Sequence, residues 1–290
     1  MLLIRKNAEL LNYVLRIRDL RQKINFIPTM GNLHEGHLHI IRKAKKQTNK
    51  VIVSIFINPL QFNDKKDYLA YPRTPEIDKK LLQKESVDLL YLPNFDFIPK
   101  NSDILNLGDI SNKLCGIERK GHFEGVGTVI LRFLEVLKPD NIFLGEKDFQ
   151  QLLIIKKIIK DYKYSTKVKI VKTVRDENKI ALSSRNKLLK QNLIEAKILP
   201  NTIFKIKNLI ESGNFYYSEL EKFRKLLQNK DDLKLNYIEV LKETNLGDMD
   251  YAFSKCRVFI SAKIHKVRLI DNIGIAGKYK LSEGRLLKQS

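Results

Sequence analysis

The first two-thirds of the chain alternates between strand-like and helix-like segments, and this alternation limits the folds that it can adopt. Val51–Ile57 is rich in β-branched residues, a pattern typical of a strand buried on both faces of a parallel sheet. Helices are predicted on either side of it, over His34–Gln47 and Pro75–Glu85. We therefore expect an α/β fold, a doubly wound parallel sheet with ligands at the carboxyl ends of its strands. The other predicted strands are Ile24–Pro28, Asp88–Leu92, Asn141–Leu144 and Val168–Val174, and the other helices are Gly125–Leu137 and Asp148–Tyr162.

After Arg185 the rhythm changes, which predicts a second, smaller α+β domain. Two helices, Leu188–Ile210 and Tyr217–Gln228, precede three strands that we expect to pair antiparallel: Leu233–Leu241, Cys256–Ala262 and Lys266–Ile270. We place the domain boundary between residues 1–175 and 176–290 and expect a hinged cleft there. The tail after Asn272 is polar and contains glycine, so it is expected to be loosely held.

The composition is that of a globular protein without a membrane segment. Of 290 residues, 43% are hydrophobic, which is enough for a core. No apolar run approaches the ~18 residues of a membrane helix, and the start lacks the pattern of a signal peptide. The two cysteines, Cys115 and Cys256, give no metal-binding spacing. We expect both to be free thiols in the cytoplasm.

The net charge of +21 raises the question of nucleic-acid binding. The excess comes mainly from 40 lysines, which are spread along the chain, against 14 arginines. No dense basic block, zinc-finger spacing or arginine-rich arm accompanies them. This distribution favours a lysine-rich solvated surface over a nucleic-acid footprint, so we expect no nucleic-acid partner.

The segment Pro28–His37 carries the strongest local signal for chemistry. It follows a predicted strand and opens a helix, with Gly31 suited to a tight turn and Gly36 to close approach of a nucleotide. His34 and His37 are three residues apart, so they share one face of the first helical turn. Two imidazoles and the unpaired N–H groups of a helix start suit phosphate. Zinc is the rival ligand, but zincins place two histidines four apart and no third ligand is evident; two surface histidines are the other alternative.

Several segments in order along the chain resemble one family. His34-Glu35-Gly36-His37 is similar to the HxGH signature of the nucleotidyltransferase superfamily, which includes class I aminoacyl-tRNA synthetases. The whole set resembles the pantoate–β-alanine ligase family, and the ordered match is highly specific. The resembling segments are Pro28–His37, Ser54–Phe62, Tyr71–Thr74, Gly121–Val126, Gly145–Gln151, Leu182–Asn186 and Arg268–Asn272.

The resemblance implies an ATP-dependent ligase that makes pantothenate from pantoate and β-alanine. ATP converts the pantoate carboxylate to pantoyl adenylate and releases pyrophosphate, and the amine of β-alanine then displaces AMP. The family also implies a Rossmann-like N-terminal domain, a C-terminal domain that closes over ATP, Mg²⁺ with the nucleotide, and a homodimer. The rival within the superfamily is a nucleotidyltransferase that forms a dinucleotide; Asn58–Phe62 and Gly145–Gln151 argue against it.

The resemblance assigns the site residue by residue. His37 matches the presumed general acid, and His34, Lys147 and Arg185 are the other predicted catalytic groups. The predicted ATP-binding residues are Met30, Gly31, Asn32, Leu33, His34, Glu35, Gly36, His37, Gly145, Glu146, Lys147, Asp148, Val174, Leu182, Ser183, Ser184 and Arg185. The predicted residues for pantoate and β-alanine are Gln61, Gln151, Asn58, Val129, Ile130 and Arg119. No resident metal ion is predicted.

Three departures from the family pattern affect turns. Lys120 replaces a usual proline, which predicts a more flexible loop. Glu177-Asn178 replaces a usual Asp-Gly turn, which asparagine can preserve because it tolerates the left-handed conformation. His265 replaces a usual glycine, so positive φ there would strain it.

Overall fold

The computed structural model describes residues 1–47, 49–94, 97–98 and 105–289, and the chain separates into two compact units. The first comprises Met1–Glu146 and Gln150–Val174. The second comprises Lys147–Phe149 and Arg175–Ser290. The nucleotide-binding and lid roles predicted for residues 1–175 and 176–290, and the hinged cleft, stay predictions.

The first unit is built on a six-stranded sheet in the order β1-β4-β3-β2-β5-β6, with every neighbouring pair parallel. Its central strands are apolar because helices cover both faces of the sheet. The strands are β1 Leu2–Ile4, β2 Ile24–Thr29, β3 Lys50–Ile55, β4 Leu89–Tyr91, β5 Asn141–Gly145 and β6 Lys167–Val171.

Among the described residues, seven helices surround this sheet. An aromatic cluster packs one face, where the ring centroid of Phe133 lies 5.0 Å from Phe26 and 4.7 Å from Phe97. On the other face Leu38 and Ile41 join Val51, Val53 and buried residues of neighbouring strands in one core. The helices are α1 Asn7–Asp19, α2 Glu35–Lys45, α3 Lys65–Ala70, α4 Pro75–Lys84, α5 Cys115–Glu118, α6 His122–Leu137 and α7 Phe149–Asp161.

The strand order places a topological switch point between β2 and β5. From β2 the chain proceeds outward through β3 to β4, whereas β5 and β6 lie on the other side of β2. Loops that leave two adjacent strands in opposite directions open a crevice at their carboxyl ends, where α/β proteins bind ligands. The segments after Thr29 and after Gly145 therefore flank the expected binding edge.

The second unit packs two helices on an antiparallel sheet in the order β7-β8-β9, as predicted. Its core includes Ile203, Ile206 and Leu227 from the helices and Val258 and Ile260 from the sheet. Its elements are α8 Asn186–Leu189, α9 Ile198–Glu211, α10 Ser218–Gln228, β7 Leu233–Lys242, β8 Cys256–Ile264, β9 Val267–Gly274, β10 Tyr279–Ser282 and β11 Arg285–Lys288.

Two predictions for this unit are wrong. The helix expected over Leu188–Ile210 is broken, because Lys190 has φ +49° and a 3₁₀ segment, Lys190–Lys197, separates α8 from α9. The tail after Asn272 is not loose in the described residues. It continues β9 and then forms the hairpin β10–β11, which buries Tyr279 and Leu286.

His265, which replaces the family's usual glycine, adopts the left-handed conformation that we expected to strain a non-glycine residue. It has φ +51° in the turn between β8 and β9. Its Nε2 lies 3.0 Å from a carboxylate oxygen of Glu195, and its Nδ1 lies 3.2 Å from one of Asp232. Each ring nitrogen thus faces a carboxylate, and Asn192 Nδ2 also lies 2.7 Å from Nε2.

Candidate active site

The turn after β2 is anchored to the carboxyl end of β3. Thr29 Oγ1 donates to the Ser54 carbonyl at 2.8 Å and accepts from the Gly31 N–H at 3.3 Å. Gly31 has φ +79°, and a Cβ there would lie 2.9 Å from Asp78 Oδ2. Glycine is therefore required at this position for both its conformation and its space.

Asp78 of α4 reaches this turn with a buried carboxylate, which is only 1% exposed. The Asn32 N–H donates to Oδ2 and the Leu33 N–H to Oδ1, both at 2.8 Å. The Thr74 hydroxyl donates to Oδ1 at 3.1 Å. Asn32 has φ +48°, a conformation that asparagine adopts more readily than most residues.

His34 and His37 cap the start of α2 with their own Nδ1 atoms. The Gly36 N–H donates to His34 Nδ1 at 3.1 Å, and the His34 N–H donates to His37 Nδ1 at 3.3 Å. The two rings lie 4.0 Å apart between centroids. An Nδ1 that accepts carries no proton, so in the neutral ring the proton sits on Nε2. Both imidazoles are thereby set as Nε2–H donors.

The expectation that this turn offers unpaired backbone N–H groups to a phosphate is wrong for most of them. Thr29 and Asp78 accept from residues 31–33, and the two imidazoles accept from His34 and Gly36. The His37 N–H donates to the His34 carbonyl at 2.8 Å. Because these donors are used within the turn, the imidazole side chains are its remaining groups suited to an anion.

Glu35 lies in the same motif, but its side chain is exposed and bonds to Arg42. Arg42 also donates to Glu85 in α4's C-terminal cap. Hydrogen bonds to these two carboxylates raise the pKa of Arg42 above its ordinary value. Arg42 thus ties α2 to the end of α4, and the Glu35 side chain is engaged with Arg42 within α2, so the predicted ATP contact of Glu35 would have to come from its backbone.

The turn after β3 presents Gln61 and is packed directly against α6. Asn58 is buried, and its Nδ2 donates to the Gly125 carbonyl at 2.9 Å and to Gln61 Oε1 at 3.3 Å. Its Oδ1 accepts from the Leu60 N–H at 3.0 Å. Gln61 Nε2 contacts Met30 Sδ, so two predicted site residues from neighbouring loops meet here. Asn58 holds the turn rather than standing open to a ligand.

Arg119 and His122 fix the backbone of Gln61. Arg119 donates to the Gln61 carbonyl at 3.1 Å, and His122 Nδ1 lies 2.7 Å from the same oxygen. Since a carbonyl only accepts, His122 Nδ1 carries the proton and its Nε2 accepts from Arg119 at 2.9 Å. His122 is not among the predicted site residues, although its motif, Gly121–Val126, is one of the resembling segments.

The remaining predicted substrate residues lie on α6 and α7. Val129 and Ile130 are buried in α6. Gln151 is half-buried in the first turn of α7. Its neighbour Gln150 is buried and accepts from the Cys115 N–H at 3.1 Å while donating to the Ile110 and Lys113 carbonyls. Gln150 therefore anchors the loop before Arg119, a structural role that sequence reasoning missed.

In the second unit, Lys147 and Ser183 line one small pocket whose other walls are mainly apolar. Asp271 also lines it. The Lys147 side chain is largely buried, with its Nζ 3.7 Å from Asp148 Oδ1, and its carbonyl accepts from Asn272 Nδ2 at 2.7 Å. An ammonium and a hydroxyl on one pocket wall are groups that bind phosphate.

Ser183 organises the loop that precedes α8. Its Oγ accepts from the Arg185 N–H at 3.2 Å, and its carbonyl accepts from the Asn186 N–H at 3.0 Å. Asn186 Nδ2 donates back to the Ala181 carbonyl at 3.1 Å. Leu182 and Arg185 are half-buried and Ser184 is buried, and Arg185 is not among the residues that line the pocket.

Asp271 and Asn272 are predicted only as part of a matching segment, yet they organise the pocket wall. Arg175 forms a bidentate ion pair with Asp271, at 2.6 and 2.8 Å. Burial raises the pKa of Asp271, while the Arg175 guanidinium opposes that shift. Asn272 also accepts from Arg257, whose guanidinium lies 4.0 Å from the Phe149 ring centroid. These contacts explain why Lys147–Phe149 belongs to the second unit.

The turn before Ala181 corrects one residue-level expectation. Lys179, not Asn178, has positive φ, at +64°. Asp176 closes the turn, since its Oδ1 accepts from the N–H groups of Asn178 and Ile180 at 2.9 and 2.8 Å. The left-handed position thus falls on a lysine, a residue type that carries no local signal for that conformation.

The predicted site residues fall on both units. Several of them lie in the first unit, at or just beyond the carboxyl ends of β2, β3 and β5: Met30–His37, Asn58, Gln61 and Gly145. Val174 lies beyond β6, two strands from β2. Lys147, Asp148 and Leu182–Arg185 belong to the second unit. Within the described residues, no helix has the length and apolarity needed to cross a bilayer.

Comparison with known proteins gives a consistent result. The profile of the family described as pantoate-beta-alanine ligase matches residues 2–274. A pantothenate synthetase of Pseudothermotoga lettingae is 38% identical over 261 residues, which is 88% of this chain and 93% of the relative. The pantothenate synthetase of Francisella tularensis subsp. mediasiatica is 41% identical over 255 residues, 87% of this chain and 89% of the relative.

Solved structures agree with the sequence relatives. The crystal structure of pantothenate synthetase from Thermus thermophilus superposes with a TM-score of 0.87 at 32% identity, covering 94% of this chain and 99% of that one. Pantoate-beta-alanine ligase from Francisella tularensis, complexed with beta-gamma ATP and β-alanine, gives 0.79 at 37% identity, with coverage of 94% and 97%. The parallel sheet with its antiparallel C-terminal sheet is thus a shared fold.

The packing of the Gln61 turn on α6 predicts the effect of Gly125→Ala. A Cβ at Gly125 would lie 2.3 Å from the Leu60 carbonyl oxygen and 2.9 Å from the Gln61 N–H nitrogen. Although alanine favours helices by about 1 kcal/mol, this overpacking should destabilise the protein by ~1–3 kcal/mol net. Urea unfolding measures it. Gly127→Ala is the control in the same helix. The nearest atoms to its Cβ would be the ends of the Leu105, Ile158 and Leu107 side chains, with no backbone atom among them, so an equal loss there would contradict the assignment to the turn.

Proposed function

The chain belongs to the pantoate–β-alanine ligase family, and we propose that it joins the two substrates in two steps on the residues described above. The pantoate carboxylate attacks the α-phosphorus of ATP, forming pantoyl adenylate and releasing pyrophosphate. The amine of β-alanine then attacks the acyl carbon, forming the amide bond, and AMP leaves with the C–O electron pair. Carboxylate activation by adenylation makes AMP, rather than an oxide ion, the leaving group.

One observation supports the phosphate step above the others: the reciprocal capping of α2 by His34 and His37. Both Nδ1 atoms accept backbone N–H groups, at 3.1 and 3.3 Å, so both rings are donors through Nε2. We assign these donors to the phosphate oxygens of ATP. They would stabilise the negative charge that grows as pyrophosphate departs, and preorganised donors of this kind usually contribute more to catalysis than any other single effect. The motif glycines, Gly31 and Gly36, and Met30, Gly145 and Val174 would line the nucleotide.

We assign Lys147, Ser183, Ser184 and Arg185 to the phosphates as well, and Asp148 to the ribose. Lys147 and Ser183 line one small pocket of the second unit, so an ammonium and a hydroxyl lie near each other there. Mg²⁺ would enter as part of the nucleotide substrate, held by phosphate oxygens and water. The imidazoles of His34 and His37 fit that arrangement, since each is set as an Nε2–H donor that suits a phosphate oxygen.

We assign pantoate to Gln61 and Gln151. An amide can donate to the carboxylate and accept from the hydroxyls without acting as a nucleophile. The buried Val129 and Ile130 would face its methyl groups, and Asn58 and Arg119 would contribute by holding Gln61 in place. A homodimer and a cytoplasmic location belong to the same proposal; sedimentation equilibrium and cell fractionation test them.

Two substitutions of His37 separate its donor from its cap. An asparagine amide can replace Nδ1, whereas a glutamine amide can replace Nε2. His37→Asn should keep stability but lower kcat by ~10²–10³, the cost of losing one transition-state donor. His37→Gln should lose up to ~2 kcal/mol of stability with the cap and retain more activity. Steady-state kinetics and urea unfolding measure both, and the opposite order of activity would refute the donor assignment.

The assignment of pantoate predicts a selective effect on its KM. Gln61→Ala and Gln151→Ala should each raise the KM for pantoate more than the KM for ATP, because both remove an amide assigned to pantoate and leave the proposed phosphate donors in place. Gln83→Ala is the control, since Gln83 is an exposed residue of α4. Initial-rate measurements with each substrate varied in turn decide it. Equal changes in both KM values would point to a disturbed fold.

The two-step order is tested by isotope exchange. The proposed phosphate residues need no amine, so the protein should catalyse pantoate-dependent exchange of labelled pyrophosphate into ATP without β-alanine. The acyl adenylate must meanwhile be kept from water. A dinucleotide-forming enzyme would need a phosphate substrate instead, and a tRNA synthetase an amino acid. A preparation that makes pantothenate but shows no such exchange would overturn the two-step order.

A further inference from the structure

We propose that Asp78 is a positioning residue that sets the imidazoles of His34 and His37 as Nε2–H donors, an inference that rests on the proposed role of those histidines. Asp78 lies in α4, more than forty residues beyond the motif in sequence. Its described hydrogen bonds to the motif involve only backbone N–H groups. Nothing in the phosphate signature itself identifies it. Its effect on the reaction would therefore be indirect.

The contacts of Asp78 divide its two oxygens between adjacent residues of the turn. Oδ2 accepts from the Asn32 N–H and Oδ1 from the Leu33 N–H, each at 2.8 Å. A carboxylate is an acceptor on both oxygens, so it satisfies both donors at once. The side chain is 1% exposed; water therefore cannot replace either bond, and a lost partner would leave a buried N–H unpaired.

The turn leaves little room for another arrangement. Gly31 approaches so closely that a Cβ would lie 2.9 Å from Asp78 Oδ2. Asn32 has φ +48° and precedes Leu33, after which His34 is extended at φ −137°. Gly31, at φ +79°, and Asn32 are two left-handed residues in a row that turn the chain before His34, and the two bonds to Asp78 hold that turn. These bonds thereby fix the position of the His34 N–H group.

The position of the His34 N–H decides the state of His37. That N–H donates to His37 Nδ1 at 3.3 Å, while the Gly36 N–H donates to His34 Nδ1 at 3.1 Å. Each bond requires an unprotonated Nδ1. If residues 32 and 33 shift, the His34 N–H leaves His37, and the proton of that ring can occupy either nitrogen. Asp78 thus controls, through two backbone groups, which ring nitrogen donates.

Asp78→Asn is the decisive variant because it keeps the size of the side chain. Its NH₂ group would face one of the two N–H donors, so only one acceptor remains. Asp88→Asn is the matched control. Asp88 is likewise a carboxylate of the first unit that accepts a backbone N–H, from Val51 at 2.9 Å, although it is only partly buried. It precedes β4 and therefore lies at the amino end of the strands, opposite the turn.

The control carboxylate also contributes to stability. Burial pushes the pKa of Asp88 upward, but the Val51 N–H and the ammonium groups of Lys45 and Lys50 outweigh it and leave the pKa below its ordinary value. Losing the charge in Asp88→Asn should therefore destabilise the fold at neutral pH. A stability loss alone is then common to both variants and does not distinguish them.

The first measurement is the ¹⁵N chemical shifts of the histidine rings in the ligand-free protein at pH 8. In the parent chain His34 and His37 should each show a protonated Nε2 and an unprotonated Nδ1. Asp78→Asn should move at least His37 toward a mixture of tautomers, whereas Asp88→Asn should leave both rings unchanged. Unchanged rings in a folded Asp78→Asn protein, or the same change in Asp88→Asn, would overturn the proposal.

The second measurement is pantoate-dependent pyrophosphate exchange at a temperature where each variant is folded. Asp78→Asn should lower the exchange rate at saturation by roughly ten- to a hundredfold, as expected for misplaced catalytic groups, with the KM for pantoate unchanged. Asp88→Asn should keep the parent rate. If even the parent shows no exchange, the proposed function fails, while the ring spectra still decide the positioning role.

A milder variant covers the case in which Asp78→Asn does not fold. The Thr74 hydroxyl donates to Asp78 Oδ1 at 3.1 Å, so Thr74→Val removes one bond to the carboxylate and leaves both backbone N–H partners in place. It should shift the ring spectra and the exchange rate in the same direction by less. A Thr74→Val protein indistinguishable from the parent in both readouts, beside an unfolded Asp78→Asn, would assign Asp78 to the fold alone and overturn the proposal.

Discussion

The parallel pairing of β2 between β3 and β5 is the constraint on which the candidate site depends. Pairing runs from Ile24 opposite Lys50 to Thr29 opposite Ile55 on one side, with Asn25 opposite Asn141 on the other. Parallel strands in register end at one edge, so the loops that leave them meet there. A slip of one residue would exchange the side chains that β2 presents to its two helix-covered faces and would break the hydrogen bond from Asn141 Nδ2 to Asn25 Oδ1.

At that edge the backbone N–H groups of the turn bond within the protein, and the imidazole side chains are the donors that we assign to the ligand. Asp78 accepts from residues 32 and 33, and the imidazoles of His34 and His37 accept from the start of α2. One consequence is that the buried carboxylate of Asp78 bonds to the backbone of a turn that we assign to the phosphates of ATP. The other is a fixed tautomer, because a ring whose Nδ1 is occupied donates only through Nε2.

Local pattern predicted most of the first unit and failed where the reason was not local. Strand and helix positions around Val51–Ile57 agree with the structure to within a few residues. By contrast β1 was missed, since Leu2–Ile4 is short and is a strand only because it pairs with β4. The tail after Asn272 is polar in sequence, yet Tyr279 and Leu286 are buried against the second unit's core. The break at Lys190 also lacks any glycine or proline signal.

The sequence by itself determined the α/β class, the order of the motifs and the family, because periodicity, turn residues and ordered short segments are written along the chain. It also indicated His34, His37, Gln61 and Lys147 as candidate catalytic or binding residues. Only the tertiary structure decided which groups hold them: Asp78 under the His34 turn, Arg119 and His122 on Gln61, and Asn272 on Lys147. Those partners are separated by 45 to 125 positions, and nothing in local sequence reports hydrogen bonds that exist only once distant elements pack together.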